Sequence, residues 1–149
     1  MKLGKALVFC AGCLSAFLNG CGRNSSSAAR ESSPGQILTP LPVIEEAYSD
    51  RRCDIPVTLR GTISKVLRDD NEGGRHQRFI LELENGQTLL VTHNIDIAPR
   101  VEGASPGDIV ILHGEYVFNE QGGIIHWTHH DPNGSREGGW ILHDGRQYR

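Results

Sequence analysis

Five of the seven histidines of this chain fall in three short polar runs: His76-Gln77-Arg78-Phe79, His93-Asn94-Ile95-Asp96 and His126-Trp127-Thr128-His129-His130-Asp131-Pro132. Each run interrupts a segment with the apolar alternation of a β-strand, and a strand needs none of this chemistry to fold. Imidazole changes charge near neutral pH and is the commonest protein metal ligand, so its company with Asp and Asn marks a polar site.

Two kinds of site fit these residue types. In one, His129 and Asp131, at i and i+2, join His93 from a neighbouring strand as three N/O ligands of a divalent transition metal with one position left open. Water on that ion would make the chain a hydrolase of the nuclease or phosphoesterase kind, with His93, Asp96 and His130 catalytic and Asp96 or Asp70 as the general base. His126 and His130 share a strand face but stand roughly 13 Å apart at about 3.3 Å per residue, too far to hold one ion. In the other kind of site no metal is needed. His76, Arg78, Asn94, Arg100, Trp127 and Trp140 contact a small polar or oligomeric ligand, the indoles stacking on a base or sugar ring and Arg75, Arg78 and Arg100 meeting phosphates.

Blander roles compete for some of these residues. His113, alone in a strand, and His143, in the tail, are expected as satisfied polar groups of the structure. Residues beside Pro132-Asn133-Gly134 can bond turn amides, and Trp140 can pin the tail over the barrel. Asp69-Asp70-Asn71-Glu72-Gly73 lacks the ligand spacing of a calcium loop and reads as a solvated turn.

The elements that must position these runs make a small, mainly all-β domain. Val43, Ile44, Ala47 and Tyr48 predict one short amphipathic helix begun after Pro42. Val57, Leu59, Ile63 and Leu67 lie on or near one face of a long first strand, with Gly61 where it must bend to serve two sheets. Phe79, Leu81 and Leu83 alternate along strand two, and Asn85-Gly86 is a hairpin signal. Gln87 to Ile95 is strand three, Ala98 to Asp108 a connector, Asp108 to Glu120 strand four, Ile124 to His129 strand five, and the remainder an irregular tail. This pattern resembles the OB-fold, a five-stranded, partly open Greek-key barrel; a small sandwich or roll is the alternative. The OB resemblance implies that strand three closes the barrel by running parallel to strand five. His93, Asn94 and Asp96 would then face His129, His130 and Asp131, with Asp69, Asp70 and His76 nearby.

The first residues read as an address. Lys2 and Lys5 precede an apolar stretch from Ala6 to Leu18, too short to span a bilayer as a permanent helix, and Leu18-Asn19-Gly20-Cys21 resembles the bacterial lipoprotein cleavage box. That resemblance implies a signal peptide over residues 1–20, lipidation of Cys21 and anchorage in the cell envelope. Gly22 in place of Asp points to the outer membrane, facing the periplasm; without lipidation the chain would be secreted or periplasmic. Residues 21–40, rich in Ser, Ala, Gly and Pro, read as a flexible tether, and 41–149 as a single domain. Cys10 and Cys13 leave with the leader, so Cys53 is the one thiol of the mature chain without a lipid and is expected to be structural. Losing Lys2 and Lys5 reduces 15 basic residues to 13 against 18 acidic ones, a balance that disfavours nucleic acid as a partner.

The motifs also support a resemblance to a known family. Leu67-Arg68-Asp69-Asp70, His76-Gln77-Arg78-Phe79, His93 to Arg100, Gly114-Glu115-Tyr116, His126 to Pro132, Gly139-Trp140 and His143 resemble the bacterial family catalogued as domain of unknown function 3465 over roughly Ile55 to Arg149. The family's activity is uncharacterised, so the resemblance strengthens the site and leaves the reaction open. The first reading is a lipid-anchored envelope binding module for a nucleic-acid fragment, glycan or peptide. The alternatives are the metal-assisted hydrolase and a structural role in envelope assembly through the acidic surface.

Overall fold

The computed structural model describes residues 37–149, so Cys21, the expected leader and most of the expected tether lie outside the described residues. Thr39, within the segment expected as tether, is already docked. Its amide donates to the Thr58 carbonyl at 2.8 Å and its Oγ1 accepts from the Thr58 amide at 2.9 Å. Helix α1, Leu41–Ser49, follows at once, with Pro42 in the first turn, where a missing N–H leaves no intrahelical bond unmade. It lays Ile44 and Ala47, both fully buried, into the core.

Strand β1, Cys53–Asp70, runs for 18 residues because it serves two partners. Cys53 to Thr62 pairs antiparallel with β4, Ile109–Val117, and Thr62 to Asp70 pairs with β2, His76–Glu82. The partner changes at Gly61, where an added Cβ would lie 2.7 Å from the Glu82 carbonyl oxygen and 2.8 Å from Leu81 Cγ. Only glycine lets the backbones approach this closely at the bend. β2 turns through Asn85-Gly86, with Gly86 at φ +82°, into β3, Thr88–Asn94. β3 then runs parallel to β5, Ile124–His126, through Leu90–Ile124 and Val91–Ile125. Since β5 is antiparallel to β4, five strands close a ring in the order β1-β2-β3-β5-β4. Val57, Leu59, Ile63, Phe79, Leu81, Leu89, Val91, Leu112, Tyr116 and Ile125 fill it, the alternating residues of each strand pointing inward.

Two expectations need correction. Strand five ends at His126, three residues early, because Trp127 adopts φ +57° and turns the chain out of the ladder. The tail is irregular only as far as Gly139: Trp140–His143 (β6) pairs with β4, and Arg146–Tyr148 (β7) returns along it. Its turn is Asp144-Gly145, both residues at positive φ, a hairpin signal obscured in the sequence by the Gly- and Ser-rich run before it. Ile141 and Tyr148 extend the core, and buried His143 Nε2 meets Asp108 Oδ2 at 2.9 Å. Among the described residues no helix is long and apolar enough to cross a membrane.

Candidate functional site

The β2 and β3 runs meet where the ladder pairs Gln77 with His93 and His76 with Asn94. His93 is fully buried, and both its ring nitrogens are engaged: Nε2 lies 3.0 Å from the Pro99 carbonyl and Nδ1 2.9 Å from Thr128 Oγ1. A carbonyl only accepts, so Nε2 carries the proton and Nδ1 of the neutral ring accepts from the threonine hydroxyl. Burial lowers the proton affinity of His93, and the neighbouring His129 and His76 push in the same direction. The buried Gln77 carboxamide donates to the Val101 carbonyl at 3.0 Å and accepts from the Val101 amide at 2.8 Å. These two polar residues, one anticipated as catalytic and one unassigned, fasten the 98–108 connector to the barrel.

The other anticipated groups are engaged in similar ways. His129, nearly buried, donates from Nδ1 to the His130 carbonyl at 2.8 Å and packs against the Trp127 ring at 4.8 Å. Burial lowers its proton affinity too, with the charges of His130 and His76 adding to the effect. Asp131 gathers the amides of Asn133, Ser135 and Arg136 and the Ser135 hydroxyl at 2.6–3.0 Å, and its pKa is held down at about 2, chiefly by the Asn133 amide. Asp96 accepts from the Arg75 amide and Nε, each at 2.7 Å, while the Asn94 carboxamide oxygen caps the Asp96 amide. His76 Nδ1 lies 3.1 Å from the Gly74 carbonyl.

His76, His93 and His129 lie near enough to influence one another's charge, but they do not form a metal-ligand cluster. Among the described residues His93, His129 and Asp131 do not bring three ligand atoms within 4.8 Å of one another. His93 has no free nitrogen, and the Asp131 oxygens are aimed into their own loop. The arginines anticipated for phosphate also have partners. Arg75 pairs with Asp96, Arg100 with Asp69, and Arg78 donates to the Arg68 carbonyl at 2.9 and 3.0 Å while facing Asp70 at 3.7 Å. Trp140 lies cross-strand from His113, their rings stacked at 6.1 Å, and so pins β6 to β4.

A different set is left open to a ligand. Glu115 on β4 stands directly opposite His126 on β5, so both side chains project from one face. Asp54 joins them from β1, where a bulge between Cys53 and Ile55 and a φ of +58° turn it out of the ladder. The three offer ligand atoms within 4.8 Å of one another, the one such group among the described residues. His126 Nε2 is buried without a hydrogen-bond partner, 3.5 Å from Glu115 Oε2, and burial lowers its proton affinity. Glu115 Oε1 takes Arg136 Nη1 at 2.6 Å, and the Arg136 guanidinium lies 4.4 Å over the Trp127 ring. The indole Nε1 of Trp127 is also buried without a partner. A cleft of about 210 Å³ opens here, lined by Pro56, His113, Glu115, Trp127, Arg136 and Glu137.

A family model described as protein of unknown function (DUF3465) matches residues 37–149. The chain belongs to this family. No curated protein matches the chain. The family region takes in α1 as well as the barrel, extending beyond the Ile55 start expected from the motifs, and it contains every residue of the cleft. Of the cleft residues the sequence pointed to Trp127 and not to Glu115, Arg136 or Glu137 as site members, nor did it single out Asp54. Gly114-Glu115-Tyr116 was visible as a motif, but its relation to His126 needs the β4–β5 register, which two-strand pairing alone discloses.

Proposed function

We propose that the chain is a lipid-anchored binding module of the cell envelope, and that its ligand is a neutral or cationic polar molecule of the glycan or peptide kind, taken up in the cleft beside Trp127. The observation that carries this reading is the Trp127 indole: its N–H is buried without an acceptor and its ring already holds a guanidinium. Buried indole donors ordinarily find a partner, so the Trp127 N–H is hydrogen-bonding capacity left unused beside the cleft. Glu115 and Glu137 outnumber Arg136 along its wall, which disfavours phosphates, and Arg75, Arg78 and Arg100 are engaged by acids or a carbonyl elsewhere. Both facts weigh against nucleic acid, as does the net charge.

Anchorage at Cys21, on the periplasmic side of the outer membrane, places peptidoglycan fragments among the ligands within reach. Calorimetric titration with muramidase-released peptidoglycan fragments should show binding that Trp127→Ala abolishes, and a single-stranded oligonucleotide should not bind. Salt-sensitive oligonucleotide binding, or fragment binding indifferent to Trp127→Ala, would overturn the reading. Palmitate labelling lost in Cys21→Ser, with release of the chain from the membrane, tests the anchor.

A further inference from the structure

We infer that Asp54, Glu115 and His126 form a binding site for one divalent transition-metal ion, with Zn²⁺ the ion their chemistry fits best. This set shares no residue with the ligands expected from the sequence, and it holds whatever molecule the cleft itself accepts. Three adjacent strands deliver it: β4 supplies Glu115, β5 supplies His126 directly opposite, and the β1 bulge supplies Asp54.

The spacing separates a metal from a hydrogen bond. His126 Nε2 and Glu115 Oε2 are 3.5 Å apart, too long for a good N–H···O bond, and Nε2 has no other partner although it is buried. Two ligand atoms each about 2.1 Å from a tetrahedral ion stand about 3.4 Å apart, which is the separation already present. An ion there would satisfy the orphaned nitrogen. Asp54, exposed on its bulge, has a carboxylate oxygen within 4.8 Å of both other ligand atoms. One imidazole with two carboxylates suits zinc-like ions, whereas Ca²⁺ and Mg²⁺ prefer all-oxygen shells. Arg136 is the outer partner: it takes Glu115 Oε1 and leaves Oε2 turned toward His126. Three protein ligands leave a fourth position for water or a ligand atom, and Glu115 puts that position at the edge of the cleft.

The test uses the tag-free full chain, stripped with chelator, dialysed and titrated with Zn²⁺ against a chromophoric competitor, with Co²⁺ as a spectroscopic substitute. One equivalent of Zn²⁺ should bind, and Co²⁺ should give the visible bands of a four-coordinate N/O site. His126→Ala and Glu115→Gln should each weaken binding by at least about 100-fold. Asp54→Asn, at an exposed position, keeps the experiment decisive if a strand variant misfolds, and should also weaken binding. The double variant His129→Ala, His130→Ala should leave the affinity unchanged. Absence of stoichiometric binding, indifference to Asp54→Asn, or loss only in the double variant would each overturn the assignment. Because the probe is the metal alone, its failure would leave fragment binding in the cleft standing, and failure of fragment binding would leave the metal site standing.

Discussion

His93 Nδ1 and Thr128 Oγ1 are 2.9 Å apart, and this bond ties the end of β3 to the chain just beyond β5. It continues a parallel seam whose ladder pairs only Leu90 with Ile124 and Val91 with Ile125. In the neutral ring Nδ1 accepts from the threonine hydroxyl, and burial opposes protonation of His93. Burial depresses the folded-state pKa of His93 below 6.5, so between the two values the unfolded chain binds a proton that the folded chain refuses. Stability is therefore complete above pH 6.5 and falls as pH drops below it, with a slope approaching about 1.4 kcal/mol per pH unit from this residue alone. Urea unfolding of His93→Gln between pH 7.5 and 5 should give a shallower pH dependence than the wild type. Equal slopes would show that His93 is not held neutral.

A second acid transition is expected lower on the pH scale. Asp131 organises the Asn133–Arg136 loop by accepting three amides and a hydroxyl, and its carboxyl is depressed from 3.8 to about 2. A depressed carboxyl contributes stability that is present above its unfolded pKa and is lost as pH falls through the folded one. Asp131→Asn should lower Tm at pH 7, and the gap to wild type should close between pH 4 and pH 2. A gap independent of pH would mean that the charge of Asp131 does not support the loop.

The barrel was more legible in the sequence than the site, for a physical reason. Strand periodicity, Gly61 and Asn85-Gly86 are local signals, and they give the long first strand and the β2–β3 hairpin directly. The site depends on register between distant strands. Polar residues grouped along the chain, such as His93 and Asp131, turned out to bond the backbone beside them, while Asp54, Glu115 and His126 are far apart in sequence and meet only through β1–β4 and β4–β5 pairing. The end of β5 was equally illegible, since the positive φ of Trp127 has no signature in a bulky aromatic residue.

Gly139 lets the chain before β6 pack closely against Trp127 in that conformation. A Cβ at Gly139 would lie 1.9 Å from the Trp127 carbonyl oxygen and 2.6 Å from that of His113, while its amide donates to the His129 carbonyl at 2.8 Å. Gly139→Ala should therefore push the 127–130 segment off β4 and destabilise the domain by about 1–3 kcal/mol. Denaturant unfolding measures the cost. Near-ultraviolet circular dichroism should register the displaced indole, and an unchanged Trp signal with full stability would refute the packing argument.

Arg136 has two roles in the cleft that a conservative replacement can separate. Its Nη1 pairs with Glu115 Oε1 at 2.6 Å, and its guanidinium plane covers the Trp127 ring at 4.4 Å. Lysine keeps a positive charge and an N–H donor for the carboxylate but has no plane to lay on the indole. The ion pair is partly exposed, so neither Arg136→Lys nor Arg136→Ala should change unfolding stability much. Their effects on the cleft should differ. Arg136→Lys should keep the Glu115 carboxylate oriented, and with it Zn²⁺ affinity, while uncovering Trp127 and shifting its emission to longer wavelength. Arg136→Ala should produce the same emission shift and also weaken Zn²⁺ binding about 10-fold or more, the usual effect of removing an outer partner of a metal ligand. Parallel fluorescence spectra and competition titrations of the two variants make the comparison. Equal Zn²⁺ affinities in both would show that Arg136 does not orient Glu115, and an unshifted emission would show that the guanidinium does not shield the indole.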